Sequence, residues 1–302
     1  MKIIYFGTPE IAVETLTSLY HEKDIEILAV VTQVDKEVGR KKLLTATPVK
    51  IAAEQLNLKV LEAKNKAELV KLLEEFDVDF FVVFAFGMIL TKRALNIPQI
   101  APINIHASLL PKYRGASPIQ ESLKNGENQT GISIMKMGEE LDSGDIYTTK
   151  TIDIDENDTY ISLSEKISNL SATTLPEILR EIESKELILT PQDNQKAIYC
   201  KKIRKEDGEI NFNKSAKEIQ NTLRAYTPWP LIWTKYKNKK IKIIKTEISD
   251  RNIKPGKFII ENNTLLIGTK EGSLKPQILQ VEGKKEMNIK SFLNGYKNLF
   301  LD

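Results

Sequence analysis

The residues best able to do chemistry in this chain lie in Asn104-Ile105-His106-Ala107-Ser108-Leu109-Leu110-Pro111. Residues i and i+2 of a strand point to one face, so Asn104 and His106 project together from the end of an apolar run. An amide beside an imidazole can stabilise an oxyanion and handle a proton. Taken alone, an Asn-x-His pair is more simply a strand-end histidine satisfied by a carbonyl, with Asn104 in a turn. A second segment, Glu139-Glu140-Leu141-Asp142-Ser143-Gly144-Asp145, is rich in carboxylates. It meets Asn104 only if the chain folds back. Its pattern does not rank Asp142 against Asp145, and such clusters are most often solvated turns.

Two basic segments stand apart from these. Arg40, Lys41 and Lys42 follow Gly39 in the stretch 33–47, which is long for a strand-to-helix connection of about 2–6 residues. They form either a phosphate contact or a solvated lysine-rich loop. Lys201, Lys202, Arg204 and Lys205, with Arg224 further on, could track a nucleic-acid backbone, each neutralised phosphate adding to the salt dependence of binding. Trp229 and Trp233 read as packing rather than as base-stacking platforms. Gly7-Thr8-Pro9 is neither a dinucleotide fingerprint nor a Walker sequence.

The elements that must position these residues follow from periodicity. Apolar runs at Lys2–Phe6, Ile25–Val31, Lys59–Leu61, Val78–Phe84 and Ile103–His106 alternate with helical patterns. Thr47-Pro48 is an N-cap followed by a proline at the first helical position. Strands buried on both faces and separated by helices imply βαβ units and a parallel sheet. The first part is therefore expected to be a doubly wound, mostly parallel α/β domain, with ligands bound beyond the carboxyl ends of its strands. Further strands are expected at 131–137 and 145–154, then a long helix over 159–184 containing Pro176. Five short strands between 232 and 281, preceded by a helix over 215–225, suggest a small β-barrel of the oligonucleotide-binding type. The expected division is an α/β domain over 1–190, a linker over 191–208 and a barrel over 209–302.

Composition bounds the function. At 302 residues, 41% hydrophobic and 28% charged, the chain falls outside disordered and disulfide-stapled classes. One cysteine, Cys200, and two histidines, His21 and His106, leave no multi-cysteine or histidine-rich metal centre. The longest apolar run, 80–90, is too short to span a membrane; with a single thiol and no leader pattern, a cytoplasmic protein is expected. The net charge of +3 hides an asymmetry: residues 196–302 carry 23 Lys and Arg against 11 Asp and Glu, a net +12, and the rest carries −9. A basic tail domain suits a polyanionic partner, and a lysine-rich solvated surface accounts for the same count.

The full set of motifs resembles the 10-formyltetrahydrofolate-dependent formyl transferases. The resemblance rests on Asn104-x-His106-x-Ser108-Leu109-Leu110-Pro111, Tyr113-Arg114-Gly115-Ala116-x-Pro118-Ile119 and Leu141-Asp142-x-Gly144-Asp145. It extends to Phe6-Gly7-Thr8-Pro9, Thr32-Gln33-x-Asp35, Pro48-Val49-Lys50 and Arg224-Ala225-Tyr226-x-Pro228-Trp229-Pro230. The basic loop lacks the second glycine and extra proline of that pattern near Arg40. The resemblance implies Asn104, His106 and Asp142 as the catalytic set. It implies Ser108, Leu109, Leu110 and Pro111, with the edge Phe86, Gly87, Met88, Ile89 and Leu90, as the folate site. It further implies 10-formyltetrahydrofolate as co-substrate without a metal, initiator methionyl-tRNA as acceptor, and a C-terminal barrel that holds the tRNA, with nothing that demands an oligomer.

Overall fold

Ile3 and Tyr5 alternate with Ile4 and Phe6, and all four side chains are fully buried. A strand packed on both faces has to lie inside a sheet covered by helices. The computed structural model describes residues 1–39, 42–237 and 239–296 and places this strand, β1 (Lys2–Gly7), near the middle of a seven-stranded sheet. The chain continues through α1 (Val13–His21), β2 (Glu26–Thr32), β3 (Lys36–Val38), β4 (Leu43–Thr45), α2 (Pro48–Gln55) and β5 (Val60–Glu62). Then come α3 (Lys66–Leu73), β6 (Phe80–Phe84), α4 (Lys92–Leu95), β7 (Ala101–His106), β8 (Arg114–Gly115) and α5 (Pro118–Lys124). The strands β9 (Gln129–Lys136) and β10 (Ile146–Asp153), the helix α6 (Tyr160–Glu183) and the short β11 (Tyr199–Cys200) follow.

Two compact units result: residues 1–118, 129–153 and 164–200 form the first, and residues 119–128, 154–163 and 201–302 the second. The sheet of the first unit runs β10-β9-β7-β6-β1-β2-β5. It is parallel from β5 to β7 and antiparallel at β9 and β10, as the doubly wound expectation required. One face packs Ile4, Phe6, Val31, Phe81 and Val83 against Leu69 and Leu73 of α3. α2 begins as its sequence predicts, with the Thr47 hydroxyl accepting from the Lys50 amide at 3.1 Å and Pro48 at the first position. α6 runs unbroken through Pro176; its apolar stripe of Ile167, Leu175, Ile178 and Leu179 is buried and outweighs the one lost backbone bond.

Two segments differ from the sequence expectation. The long connection 33–47 contains the β3–β4 hairpin, paired from Lys36–Thr45 to Val38–Leu43. And the stretch expected as a linker is partly structured: β11 pairs in parallel with β8, so residues up to Cys200 belong to the first unit. A local run of Pro, Gln, Asp and Asn carries no sign of a strand partner 85 residues away in sequence.

In the second unit, α7 (Ala216–Ala225) opens on a capping box between Ser215 and Glu218. The strands are β12 (Ile232–Tyr236), β13 (Lys239–Ser249), β14 (Phe258–Glu261), β15 (Thr264–Gly268), β16 (Ser273–Val281) and β17 (Glu286–Asn288), followed by α8 (Ile289–Tyr296). They pair antiparallel in the order β12-β13-β16-β15-β14, with β17 also on β16. Ile219 and Leu223 of α7 and Phe292 of α8 fill the core with Ile243, Leu265 and Leu274. Five of the six strands match the expected runs; β17 and α8 sit in a polar, lysine-rich stretch where periodicity is weak.

Candidate active site

β7 alternates in the way the site needs. Ile103 and Ile105 are buried on one face, so Asn104 and His106 share the other. The loop 137–145 leaves β9 opposite the start of β7, where the Met137 amide donates to the Pro102 carbonyl at 2.8 Å. It then returns along β7 and lays Asp142 against the Asn104 and His106 side chains. Asn104 Nδ2 lies 3.4 Å from Asp142 Oδ1. His106 Nδ1 lies 3.6 Å from Asp142 Oδ2, with both side chains about nine-tenths buried. The Gly115 amide donates to the same Oδ2 at 2.9 Å. Asp142 is thus the inward carboxylate of the cluster, while Asp145 is exposed, a ranking that pattern alone could not give.

The other ring nitrogen of His106 is committed. Nε2 lies 2.9 Å from the Tyr113 carbonyl oxygen. A carbonyl only accepts, so Nε2 carries a hydrogen and Nδ1 is the nitrogen turned toward Asp142. The carbonyl-satisfied histidine expected from an isolated Asn-x-His pair is therefore present at Nε2, while Nδ1 faces the Asp142 carboxylate.

Backbone shape holds this arrangement. Asp142 has φ of 51° and Gly115 has φ of 119°. A Cβ on Gly115 would collide with the Cys200 carbonyl oxygen, and one on Gly144 with that of Lys136. Only glycine meets both conditions at 115.

The expected folate-contacting residues divide by exposure. Ser108 is fully buried and its hydroxyl donates to the Lys112 carbonyl at 2.6 Å. Ser133 Oγ donates to the Ser108 carbonyl at 2.7 Å and accepts from the Leu110 amide at 3.0 Å. The 108–111 turn is thereby braced from beneath, with Leu110 buried and Leu109 and Pro111 half-buried. In the loop after β6, Phe86 and Leu90 belong to the sheet's core, Met88 packs on it, and Ile89 is exposed. The Phe86 carbonyl accepts from Thr8 Oγ1 and from Gln33 Nε2, both at 2.9 Å, which ties the loops after β1, β2 and β6 together.

Of the expected basic contacts, Arg40 and Lys41 lie outside the described residues. Lys42 is exposed and pairs loosely with Glu37 at 3.8 Å. Lys201, Lys202, Arg204 and Lys205 are exposed on the second unit. Near them Lys240 Nζ sits 3.3 Å over the Trp233 ring; burial, reinforced by the charge of Lys205, lowers its pKa from the usual lysine value. Arg224 differs from these. It is half-buried, donates to the carbonyls of Asp155 and Asp158 at 3.1 Å and to Asn221 Oδ1 at 2.9 Å, and so serves as an internal clamp of the second unit. Trp233 is buried as expected, whereas Trp229 is 56% exposed. Among the described residues no group of His, Cys, Asp and Glu could hold a metal ion.

The family profile described as formyl transferase matches residues 1–179, and the one described as formyl transferase, C-terminal domain, matches residues 202–297. The chain belongs to the formyl transferase family. A relative of this formyl transferase, the methionyl-tRNA formyltransferase of Caldicellulosiruptor saccharolyticus, is 43% identical over 305 residues, covering 98% of this chain and 97% of that protein. The methionyl-tRNA formyltransferase of Thermodesulfovibrio yellowstonii is 42% identical over 298 residues, covering 98% and 96%. Among solved structures, the sugar 3N-formyl transferase WlaRD, crystallised in the presence of dTDP and 5-N-formyl-THF, has a TM-score of 0.69 at 23% identity, covering 94% of this chain and 99% of its own. At that identity the likeness carries the fold of the formyl transferases alone.

Sequence reasoning missed the polar residues behind the site. Buried Arg114, half-buried Gln192 and exposed Asn194 and Tyr199 form one hydrogen-bonded group that reaches the Asp142 backbone carbonyl through Gln192. The signal available was Arg114 itself, an arginine among residues otherwise suited to a buried turn.

Proposed function

We propose that this formyl transferase moves the formyl group of 10-formyltetrahydrofolate to the free α-amino group of initiator methionyl-tRNA. One observation carries the reading. Asn104 and His106 both reach within 3.6 Å of the Asp142 carboxylate, in a chain whose relatives, matched over nearly their whole length, are named methionyl-tRNA formyltransferase.

The chemistry asks little of the nucleophile. A free α-amino group has a pKa of about 7.7–8.0, and an adjacent ester lowers it, so much of the amine is already neutral. Its nitrogen attacks the formyl carbon; a new C–N bond forms and the formyl oxygen becomes an oxyanion. Catalysis then rests on orientation and on donors aimed at that oxygen. Asn104 Nδ2–H is one donor. Nδ1 of His106 is a second when the ring is doubly protonated, and a base when it is neutral. Asp142 accepts the proton of the attacking amine, directly or through a water. Collapse of the intermediate breaks the bond to N10 of the folate, which takes up a proton as it leaves. No covalent enzyme intermediate is required.

We assign the folate and the reacting methionyl end to the domain over 1–190. Leu109, Pro111, Gly87, Met88 and Ile89 are the accessible contacts, and Phe86, Leu90, Ser108 and Leu110 shape the surface beneath. We assign tRNA retention to residues 209–302, helped by Lys201, Lys202, Arg204, Lys205 and the Arg40–Lys42 loop, in line with the +12 charge of residues 196–302. No described helix is long and apolar enough to cross a membrane, and the reading places the enzyme in the cytoplasm as a single chain. The test is release of tetrahydrofolate on adding methionyl-tRNA, followed with radiolabelled methionine. One formylated methionyl-tRNA per tetrahydrofolate is expected; equal release without the acceptor would make the chain a hydrolase and overturn the assignment.

A further inference from the structure

Arg114 is 1% exposed, yet among the described residues its guanidinium meets no carboxylate. Nε and Nη2 donate to Gln192 Oε1 at 2.9 and 2.8 Å, Nη2 also to Asn194 Oδ1 at 2.9 Å, and Nη1 to the Tyr199 hydroxyl at 3.2 Å. A buried charge is costly unless fully hydrogen-bonded, and here neutral oxygens alone do the work. The double bond from Arg114 fixes which end of the Gln192 amide is oxygen. The amide nitrogen is thereby turned the other way, and its two hydrogens go to the Asp142 carbonyl at 3.0 Å and the Gly144 carbonyl at 2.7 Å.

We propose that Gln192, oriented by the buried Arg114, is a positioning residue that sets the Asp142 carboxylate for formyl transfer. The geometry closes on itself. Asp142 holds a left-handed backbone, φ 51°, a conformation that residues with a Cβ adopt rarely. Gln192 bonds the carbonyl at each end of that turn. The carboxylate so directed accepts from the Gly115 amide, and Gly115 is the chain neighbour of Arg114 in β8, itself paired with β11. Both ends of the Asp142 residue, backbone and side chain, are thus referred to one two-residue strand. A glutamine is needed and a glutamate does not suffice. Glutamate would give Arg114 an ionic partner but would bring no hydrogen to the two carbonyls.

The inference rests on Asp142 acting as proposed above, and the experiment separates the two. Single-turnover rates and folate KM are measured for Gln192→Glu, Asp142→Asn and the double variant, with thermal melting of each. Gln192→Glu is expected to lower the rate by ~10²-fold, the scale of an ångström-sized misplacement, with folate KM within about threefold of wild type. In the Asp142→Asn background the same change is expected to cost less than about threefold, because residues acting through one another are not additive. An equal loss in both backgrounds, or an unchanged rate in Gln192→Glu while Asp142→Asn is impaired, overturns the positioning role. An unimpaired Asp142→Asn overturns the catalytic reading beneath it. Should Gln192→Glu fail to fold, Arg114→Lys, which keeps the cation but loses the two-bond grip on Gln192, carries the same cycle with the same outcomes.

Discussion

The turn at 142–144 and the hairpin at 36–45 both belong to the first unit, and they are built to opposite ends. In the turn, the Asp142 carboxylate and the carbonyls of Asp142 and Gly144 all have partners within the protein. In the hairpin, Leu43 and Leu44 are 64% and 70% exposed, and Lys42 has a distant carboxylate at 3.8 Å. Covalent chemistry needs reacting atoms held to a fraction of an ångström, so its residues are locked by the fold. Contact with a large polyanion, the role proposed above for the basic loop, needs charge at the right place and little else, and the described residues here are left to the solvent. Two cations of this chain show the contrast: Arg114 is buried and held by four hydrogen bonds, whereas Lys42 is exposed with one loose ion pair.

The contrast can be broken at the turn first. Asp142→Asn is expected to slow formyl transfer by roughly 10²–10⁴-fold, the scale of a lost acid–base group, in single-turnover assays. The loss should not depend on salt; a deficit rescued by low ionic strength would move Asp142 from the locked class to the electrostatic one. Replacing Lys201, Lys202, Arg204 and Lys205 together with alanine should act in the reverse sense. The expected result is weaker tRNA binding, with the slope of log affinity against log salt reduced by about 0.9 for each phosphate contact removed, and an unaltered rate at saturating tRNA. Gly115→Ala forces a side chain into φ 119° against the Cys200 carbonyl; a stability loss of about 1–3 kcal/mol is expected by urea denaturation, along with lower activity. Lys42→Ala sits at the small end: stability within ~0.5 kcal/mol of wild type, since an exposed ion pair contributes little.

The same distinction explains what could be read from the sequence. Both strands that flank β1 were visible as apolar runs because burial on two faces demands unbroken hydrophobicity. Asn104 and His106 were visible because strand alternation is a local property. Asp142 was not separable from Asp145 by pattern, since the choice depends on how the loop returns along β7. Gln192 was out of reach. It lies in a stretch whose composition marks a connector, and its partners at 114 and 142 are 78 and 50 residues away in sequence. Hydrogen bonds between distant polar side chains leave no periodic trace. The β3–β4 hairpin leaves no trace for another reason: its strands, Lys-Glu-Val and Leu-Leu-Thr, are three residues each and too short to show an alternation.

A carbonyl oxygen has two lone pairs. In Phe86 both are taken, one by the Thr8 hydroxyl and one by the Gln33 amide. A pterin ring brought to this edge therefore finds no vacant acceptor on residue 86. On the folate assignment proposed above, its donor groups fall to main-chain atoms further along, from Gly87 to Ile89. The Phe86 carbonyl spends its whole hydrogen-bonding capacity on keeping three loops in register.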